Sequence, residues 1–298
     1  MDKLKGIISV LLGAASYGLL ATVVKFGNLR GLEASGMVFF QYFFGFIGLL
    51  LLSFFDKRKM DIKKPGRRQK LNLIYFGTSL GLTSCFYYLS IQYVPVSIAI
   101  ILLMQSIWMG GVFEMFLDKV KPSRLKVIGS IVVLIGTVLA VNIFGNLPDL
   151  SFRGLGFGLL ASISFTVSLS ATNRVEIGLP VITRSKYLVL GGLLAVLVFW
   201  NLEIFRSLNL GSVNLYYFGL FLAFFGCIVP PILFNRGFPI IGIGLGSILA
   251  SMEIPVSIFS AMVLLDEKVE AIQWMGVCII LVAVVIVNLK YLGQKEIG

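Results

Sequence analysis

Apolar stretches of about 20 residues, separated by short charged clusters, dominate this sequence. A helix of that length spans the roughly 30 Å hydrocarbon core of a bilayer, and in lipid only helices and closed barrels satisfy every backbone polar group. The composition agrees, since 58% of the residues are hydrophobic and 13% are charged, whereas soluble domains carry about 25% charged residues. We therefore predict an all-α integral membrane protein.

Ten transmembrane helices can be assigned along the chain. Their predicted bounds are 6–26, 36–54, 71–92, 96–117, 125–141, 154–172, 187–201, 213–234, 238–265 and 272–291. The longest segment outside them, 55–70, is too short for a soluble catalytic or nucleotide-binding domain. The N-terminus resembles a signal peptide, but its apolar run continues to Val24 and further spans follow, so we interpret it as the first membrane helix.

The net charge of +11 is explained by the connections between spans. If the N-terminus is cytoplasmic, 20 of the 25 Lys and Arg residues lie on the inner side, eight of them in the segment 56–70. The positive-inside rule then places both termini in the cytoplasm of a cell whose plasma or inner membrane holds the chain. Lys25, Glu114 and Arg174, near span ends, are expected to snorkel or pair at the interface. Nothing here indicates a nucleic-acid partner.

Shifting the sequence by 148 residues aligns its two halves, 1–147 and 148–298, as two repeats of five spans. The best-matched segments are "LLMQSIWMGGVFEMFLD" (102–118) and "ASMEIPVSIFSAMVLLD" (250–266). The connections that follow differ in charge, +3 for "LDKVKPSRLK" and −2 for "LDEKVEAIQ". Five spans is an odd number, so the second half must insert upside down. Inverted repeats of this kind are typical of transporters.

These features resemble the EamA family of the drug/metabolite transporter superfamily, whose members are ten-helix carriers. In that family the fourth helix of each half often reads Glu-Pro, followed by Gly-Glu-(Arg/Lys) and a fifth helix with an early glycine. The second half matches through Glu253, Pro255, Glu267, Lys268 and Gly276, although the proline comes one residue late. The first half has Gln105, Asp118, Lys119 and Gly129 and lacks the proline and the carboxylate. The resemblance implies a secondary carrier of a small metabolite, often exported.

Glu253 is the one charged residue in the apolar run 238–265. A charge at a helix centre costs about 2.5–3.5 kcal/mol on insertion scales, so it should face a cavity or a partner. Small and polar residues share its helix face, namely Gly242, Gly246, Ala250, Ser257 and Ser260. Our main hypothesis is a solvated pathway that contains Glu253. The alternative is close helix packing through the small residues.

Polar stripes on the first, third and sixth spans, among those that the family uses to line its cavity, extend this hypothesis. The candidate binding and cavity residues are Glu253, Gln105, Ser257, Ser16, Tyr17, Tyr88, Trp108, Ser162, Thr166 and Asn173. The alternatives are that the serines and threonines bond to their own backbone and that the aromatic residues pack within the bundle.

Gln105 occupies the position equivalent to Glu253 and is expected either to bind a substrate amide or carboxylate or to bridge helices. Pro255 and the pair Pro230–Pro231 each remove a helical hydrogen bond. Backbone groups freed in this way are tolerated where neighbours or a water-lined cavity satisfy them. The prolines are therefore candidate hinges, with static kinks as the alternative.

The residue inventory argues against an enzyme. The chain has no histidine, which removes histidine-based acid–base and metal chemistry, and it has no phosphate-binding glycine loop. The three cysteines, Cys85, Cys227 and Cys278, lie in apolar runs without metal-ligand spacing and are predicted to be reduced packing residues. We expect no cofactor.

The sequence therefore favours a secondary transporter, working as a monomer or homodimer by alternating access. Glu253 would bind a cationic group of the substrate or a coupling proton, since a carboxylate in a low-dielectric setting can exchange protons near neutral pH. An amino-acid or amine-like substrate is the leading hypothesis, and a sugar-like or nucleoside-like solute is the alternative. A channel would need rings of like groups. A sensor that no longer transports would have the same sequence features.

Overall fold

The computed structural model describes residues 2–55, 65–94, 96–119, 121–141, 151–207, 213–266 and 268–293, and these contain no strand. Glu267 of the family motif lies outside the described residues. A π-helical segment, Ala223–Ile228, joins α9 to α10. The helices are α1 (Asp2–Leu29), α2 (Ala34–Phe55), α3 (Arg67–Tyr93), α4 (Val96–Leu103), α5 (Ser106–Asp118), α6 (Arg124–Ala140), α7 (Phe152–Arg174), α8 (Val181–Ser207), α9 (Val213–Leu222), α10 (Val229–Ile241), α11 (Ile243–Ala250), α12 (Glu253–Leu265) and α13 (Ala271–Gly293).

Eight helical stretches within the described residues are long and apolar enough to cross a membrane. Three of them combine neighbouring helices, α4 with α5, α9 with α10, and α11 with α12. The third and fifth predicted spans correspond to α3 and α6, which are not among the eight. α3 begins with a polar turn, "RRQK", and α6 has only 17 residues. The all-helical membrane architecture is thus present.

Two predicted span bounds were wrong. The predicted gap at 235–237 is helical, because α10 continues to Ile241 and the chain breaks at Gly242 instead, where φ is +81°. Glycine adopts this conformation without the penalty that a Cβ brings. The predicted span 187–201 is also too short, since α8 begins at Val181 with polar residues that are buried against neighbouring helices.

The fourth spans of the two halves share the same interruption. Between α4 and α5, Gln105 N–H donates to the Leu102 carbonyl, and between α11 and α12, Met252 N–H donates to the Leu249 carbonyl. Both bonds run from the N–H of residue i to the carbonyl of residue i−3, as in a 3₁₀ helix. A 3₁₀ turn inside a helical span often marks a functional hinge. α5 and α12 also both end at a residue in the left-handed conformation, Lys119 and Asp266. The two halves therefore repeat this feature in detail.

The π-helical segment is explained by the two prolines that follow it. Val229 N–H donates to the carbonyl of Phe224, five residues earlier, which is the hydrogen-bond pattern of a π-helix. The next such bond would join residue 230 to the Phe225 carbonyl, but Pro230 has no N–H to donate. Ser16 on α1 replaces it, since its hydroxyl donates to that carbonyl at 2.7 Å. The wide turn is thereby attached to α1.

α3 and α8 approach so closely that their backbones touch. A Cβ added to Gly77 would meet the backbone of Leu188, and one added to Gly81 would meet that of Gly192. From the side of α8, a Cβ added to Gly191 would likewise meet the Ile74 carbonyl of α3. Small residues permit such contacts between membrane helices. Around this pair, α3 also packs on α7, α2 packs on α8, α1 packs on α10 and α12, and α13 packs on α6.

Candidate functional site

A cavity of about 60 Å³ lies between α1, α2, α3, α4, α7, the π-helical segment and α12. Such a volume has room for a few water molecules. Apolar groups such as Leu103 and Phe165 form part of its wall. The polar side chains at the cavity belong to Tyr17, Gln41, Tyr42, Thr83, Ser84, Tyr87, Tyr88 and Glu253. The cavity thus combines one carboxylate with four tyrosines.

Glu253 is the only charged side chain among the described residues that line the cavity. It is the first residue of α12 and is half-buried. It directly follows the 3₁₀ turn at Met252 that separates α11 from α12. Within the described part of the chain its carboxylate has neither a hydrogen bond nor an ion pair. The carboxylate therefore lies at the cavity without a partner among the described residues.

The four tyrosines divide into two that are engaged and two that are not. The Tyr42 hydroxyl donates to the Leu80 carbonyl at 2.7 Å, and the Tyr88 hydroxyl donates to Gln41 Oε1 at 3.2 Å. Tyr87 is 7% exposed and its hydroxyl has no partner among the described residues. The Tyr17 hydroxyl likewise forms no hydrogen bond within that part of the chain, while its ring packs edge-on against nearby phenylalanines. Two buried or half-buried hydroxyls therefore remain unpaired at the cavity.

Gln41 connects α2, α3 and the π-helical segment. Besides accepting from Tyr88, its amide hydrogen-bonds to the side chain of Cys227. A Cβ added to Gly226 would lie 2.6 Å from Gln41 Nε2, so glycine is required for this approach. π-helical turns occur frequently at functional sites, and this one contributes Gly226 to the cavity wall. Gln41 fixes both the tyrosine and the turn in place.

Three of the predicted site residues, Tyr17, Tyr88 and Glu253, line this cavity together. Ser16 lies beside them and bonds to the π-helical segment. Pro255 lies in the first turn of α12, where the missing N–H would have no helical acceptor in any case. The structure thus brings the first, third and ninth predicted spans to one place.

The other predicted residues lie outside the cavity wall. Gln105 Nε2 donates to the Ile101 carbonyl at 3.0 Å, and its Oε1 accepts from Nε1 of Trp108, which is 45% exposed. Both polar ends of Gln105 are therefore engaged within its own span. Its position in the repeat matches that of Glu253, but its surroundings do not.

Ser162, Thr166, Ser257 and Asn173 occupy helix contacts or a helix end. Ser162 donates to the Leu103 carbonyl at 3.1 Å, and Thr166 donates to the Ser162 carbonyl at 2.8 Å. The backbone carbonyl of Ser257 accepts from Ser260. Asn173 is half-buried and precedes the last residue of α7. None of these four is among the residues of the cavity wall.

Sequence reasoning missed Gln41, Tyr42 and Tyr87 at the cavity. A signal existed for Gln41, which is a lone amide in the apolar run "MVFFQYFFGF" and resembles Glu253 in that respect. Tyr87 carried no such signal, because it stands next to Tyr88 and only the packing of α3 shows that both line the cavity.

Two further buried ionic groups lie away from the cavity. Glu114 on α5 pairs with Lys126 on α6 at 2.7 Å, and a Cβ added to Gly242 or Gly244 at the start of α11 would meet its carboxylate. Arg184 on α8 is 1% exposed and donates three hydrogen bonds to backbone carbonyls. Of the two alternatives expected for Glu114, snorkelling or pairing, the structure shows pairing.

Comparisons with known proteins agree with this architecture. The sequence model of the EamA-like transporter family matches residues 4–142 and 152–289. A solved structure described as "Crystal structure of protein" superimposes with a TM-score of 0.76, covering 95% of this chain and 98% of that one. Its sequence identity is 13%, so this similarity concerns the fold alone. A search of curated protein sequences gives no match.

Proposed function

The chain belongs to the EamA-like transporter family, and from this premise we propose that it is a secondary carrier that exports a small amino-acid or amine-like metabolite by alternating access. The family indicates a multi-pass membrane transporter of the drug/metabolite type. The observation that carries the substrate proposal is the unpaired Glu253 carboxylate in a cavity wall with no cationic side chain among the described residues.

The proposed topology is ten spans in two inverted repeats, 1–147 and 148–298, with both termini cytoplasmic in a plasma or inner membrane. The 3₁₀ turns at Gln105 and Met252 and the left-handed residues Lys119 and Asp266 support the repeat. The unequal basic charge of equivalent connections supports its inversion. Inverted repeats commonly meet at a midplane binding site, where Glu253 would then lie.

Glu253 serves in this proposal as the binding group for a cation. A carboxylate without a partner can hold either the ammonium group of a substrate or a proton, and exchange between the two would couple export to proton entry. The prolines at 230, 231 and 255 are proposed hinges, because each lies next to an irregular turn at the cavity. The carrier is proposed to act as a monomer or homodimer.

The experiment is counterflow in liposomes, with a panel of amino acids, amines, nucleosides and sugars. We expect amino acids or amines to exchange in the wild type and this exchange to fall at least tenfold in Glu253→Gln, which keeps the shape and removes the charge. Glu33→Gln is the matched control, because Glu33 is an exposed carboxylate at the start of α2 and away from the cavity. A dye inside the liposomes would report accompanying proton movement.

Each other outcome contradicts part of the proposal. Unchanged exchange in Glu253→Gln would make the carboxylate structural. Exchange of sugars or nucleosides alone would favour the alternative substrate class. If folded protein exchanges no compound of the panel, a sensor without transport becomes the better interpretation.

A further inference from the structure

We infer that the substrate bound at Glu253 is a primary amine without a carboxylate, rather than a zwitterionic amino acid. This inference rests on the proposed carrier function and narrows its substrate class. It follows from the hydrogen-bonding groups at the cavity that are unpaired and from the ones that are missing.

Three oxygen groups at the cavity lack partners within the described residues: the Glu253 carboxylate and the hydroxyls of Tyr17 and Tyr87. Tyr87 is the most constrained, because its hydroxyl is buried and an unsatisfied buried polar group is costly. A primary ammonium carries three N–H donors and no acceptor. Its donor number therefore equals the number of unpaired oxygen groups, and its charge is opposite to that of the carboxylate.

A substrate carboxylate would find no cationic group in this wall, and only neutral hydroxyls could donate to it. No Lys or Arg is among its described residues. The one side-chain amide, that of Gln41, is already engaged with Tyr88 and Cys227. Arg184 is buried elsewhere, with its guanidinium bound to three carbonyls. Burying a carboxylate without an opposite charge beside it is unfavourable, and a second negative charge would also repel Glu253.

The rest of the wall suits a cation with an apolar body. Phe165 and the rings of four tyrosines line the cavity, and aromatic faces attract ammonium groups. A quaternary ammonium would also use these rings, but it has no N–H and would leave the Tyr87 hydroxyl unpaired. The small volume of about 60 Å³ favours a compact amine head.

The test is competition for counterflow of radiolabelled isobutylamine by matched compounds. Isobutylamine is compared with valine, and phenethylamine with phenylalanine and with its trimethylammonium analogue. We expect each primary amine to compete at least tenfold better than the matched amino acid or quaternary compound. Such a site strongly disfavours analogues that leave its polar groups unpaired.

Two variants show whether Tyr87 takes part. Tyr87→Phe removes one hydroxyl and should weaken competition by primary amines about tenfold, with little change for the quaternary analogue. Tyr75→Phe is the control, because Tyr75 is on the same helix and is 72% exposed. Thermal unfolding of the purified proteins shows that both variants are folded.

The outcomes separate this inference from the carrier proposal. If the amino acids compete better than the amines and Glu253→Gln still abolishes exchange, the amine inference is wrong and the carrier proposal stands. Better competition by the quaternary analogue also overturns the inference. If folded wild-type protein exchanges no compound of either panel, both are wrong.

Discussion

Replacing Arg184 should destabilise the protein more than any change at its surface. The guanidinium is 1% exposed and donates from Nε to the Val175 carbonyl at 3.0 Å, from Nη1 to the Asn235 carbonyl at 2.9 Å and from Nη2 to the Thr172 carbonyl at 2.6 Å. The Thr172 carbonyl belongs to the last turn of α7, whose carbonyls have no helical donor, and Val175 follows that helix. Arg184 therefore caps α7 and ties it to α10.

Arg184→Met retains most of the side-chain volume and removes all three donors. Each carbonyl left unpaired in a buried position costs about 1–3 kcal/mol, and part of this is offset because the guanidinium no longer has to be desolvated. Removal of one partner from a buried charged contact typically costs about 3–5 kcal/mol. Each kcal/mol lowers the melting temperature by about 2 °C in a long chain. We therefore expect the apparent melting temperature to fall by about 6–10 °C.

The assay is thermal unfolding of detergent-purified protein, followed by size-exclusion chromatography with fluorescence detection. Arg184→Lys should be intermediate, because lysine keeps the charge but lacks the planar fork that reaches three carbonyls. Arg236→Met is the control, since Arg236 adjoins Asn235 in sequence and is exposed. If Arg184→Met melts within about 1 °C of the wild type, where surface substitutions fall, the assignment of Arg184 as a cap is wrong.

Two further predictions concern helix contacts. Gly81→Val should abolish folded expression, because its side chain would collide with the backbone of α8, whereas Gly156→Val, where a Cβ meets nothing within 4 Å, should express normally in the same detergent-solubilised fluorescence assay. Glu114→Gln should lower the melting temperature by about 2–4 °C, since it removes the negative charge that pairs with Lys126. Adding Lys126→Met should restore part of the loss, and strictly additive losses would show that the pair does not interact.

Much of the fold could be predicted from the sequence because lipid imposes a simple rule on the backbone. Helical spans follow from apolar length alone, and the repeat follows from matched residues such as Met104 and Met252. The turn at Gln105 could not be predicted, because no proline or glycine marks it. The π-helical segment was not predicted either, although its cause, Pro230 and Pro231, was visible.

The candidate site was predicted less completely than the fold. Glu253 could be predicted because a charged side chain within an apolar span is costly and should face a cavity or a partner. Tyr17 and Tyr88 followed from helical spacing. Spacing identifies residues on one face of a helix, but it does not say which neighbouring helix covers that face. Thr166 is an example. It lies on a polar face of its helix as predicted, but its hydroxyl donates to the Ser162 carbonyl of the same helix and does not line the cavity.

The direct backbone contact between α3 and α8 has a mechanical consequence. Where Gly77 and Gly81 meet the main chain of Leu188 and Gly192, no layer of side chains is present that could change rotamers and let one helix slide along the other. We therefore expect the two helices to move together as one rigid body. Any change in the shape of the cavity therefore has to occur at its other walls, where the chain is already irregular, in the π-helical segment and at the 3₁₀ turn before α12.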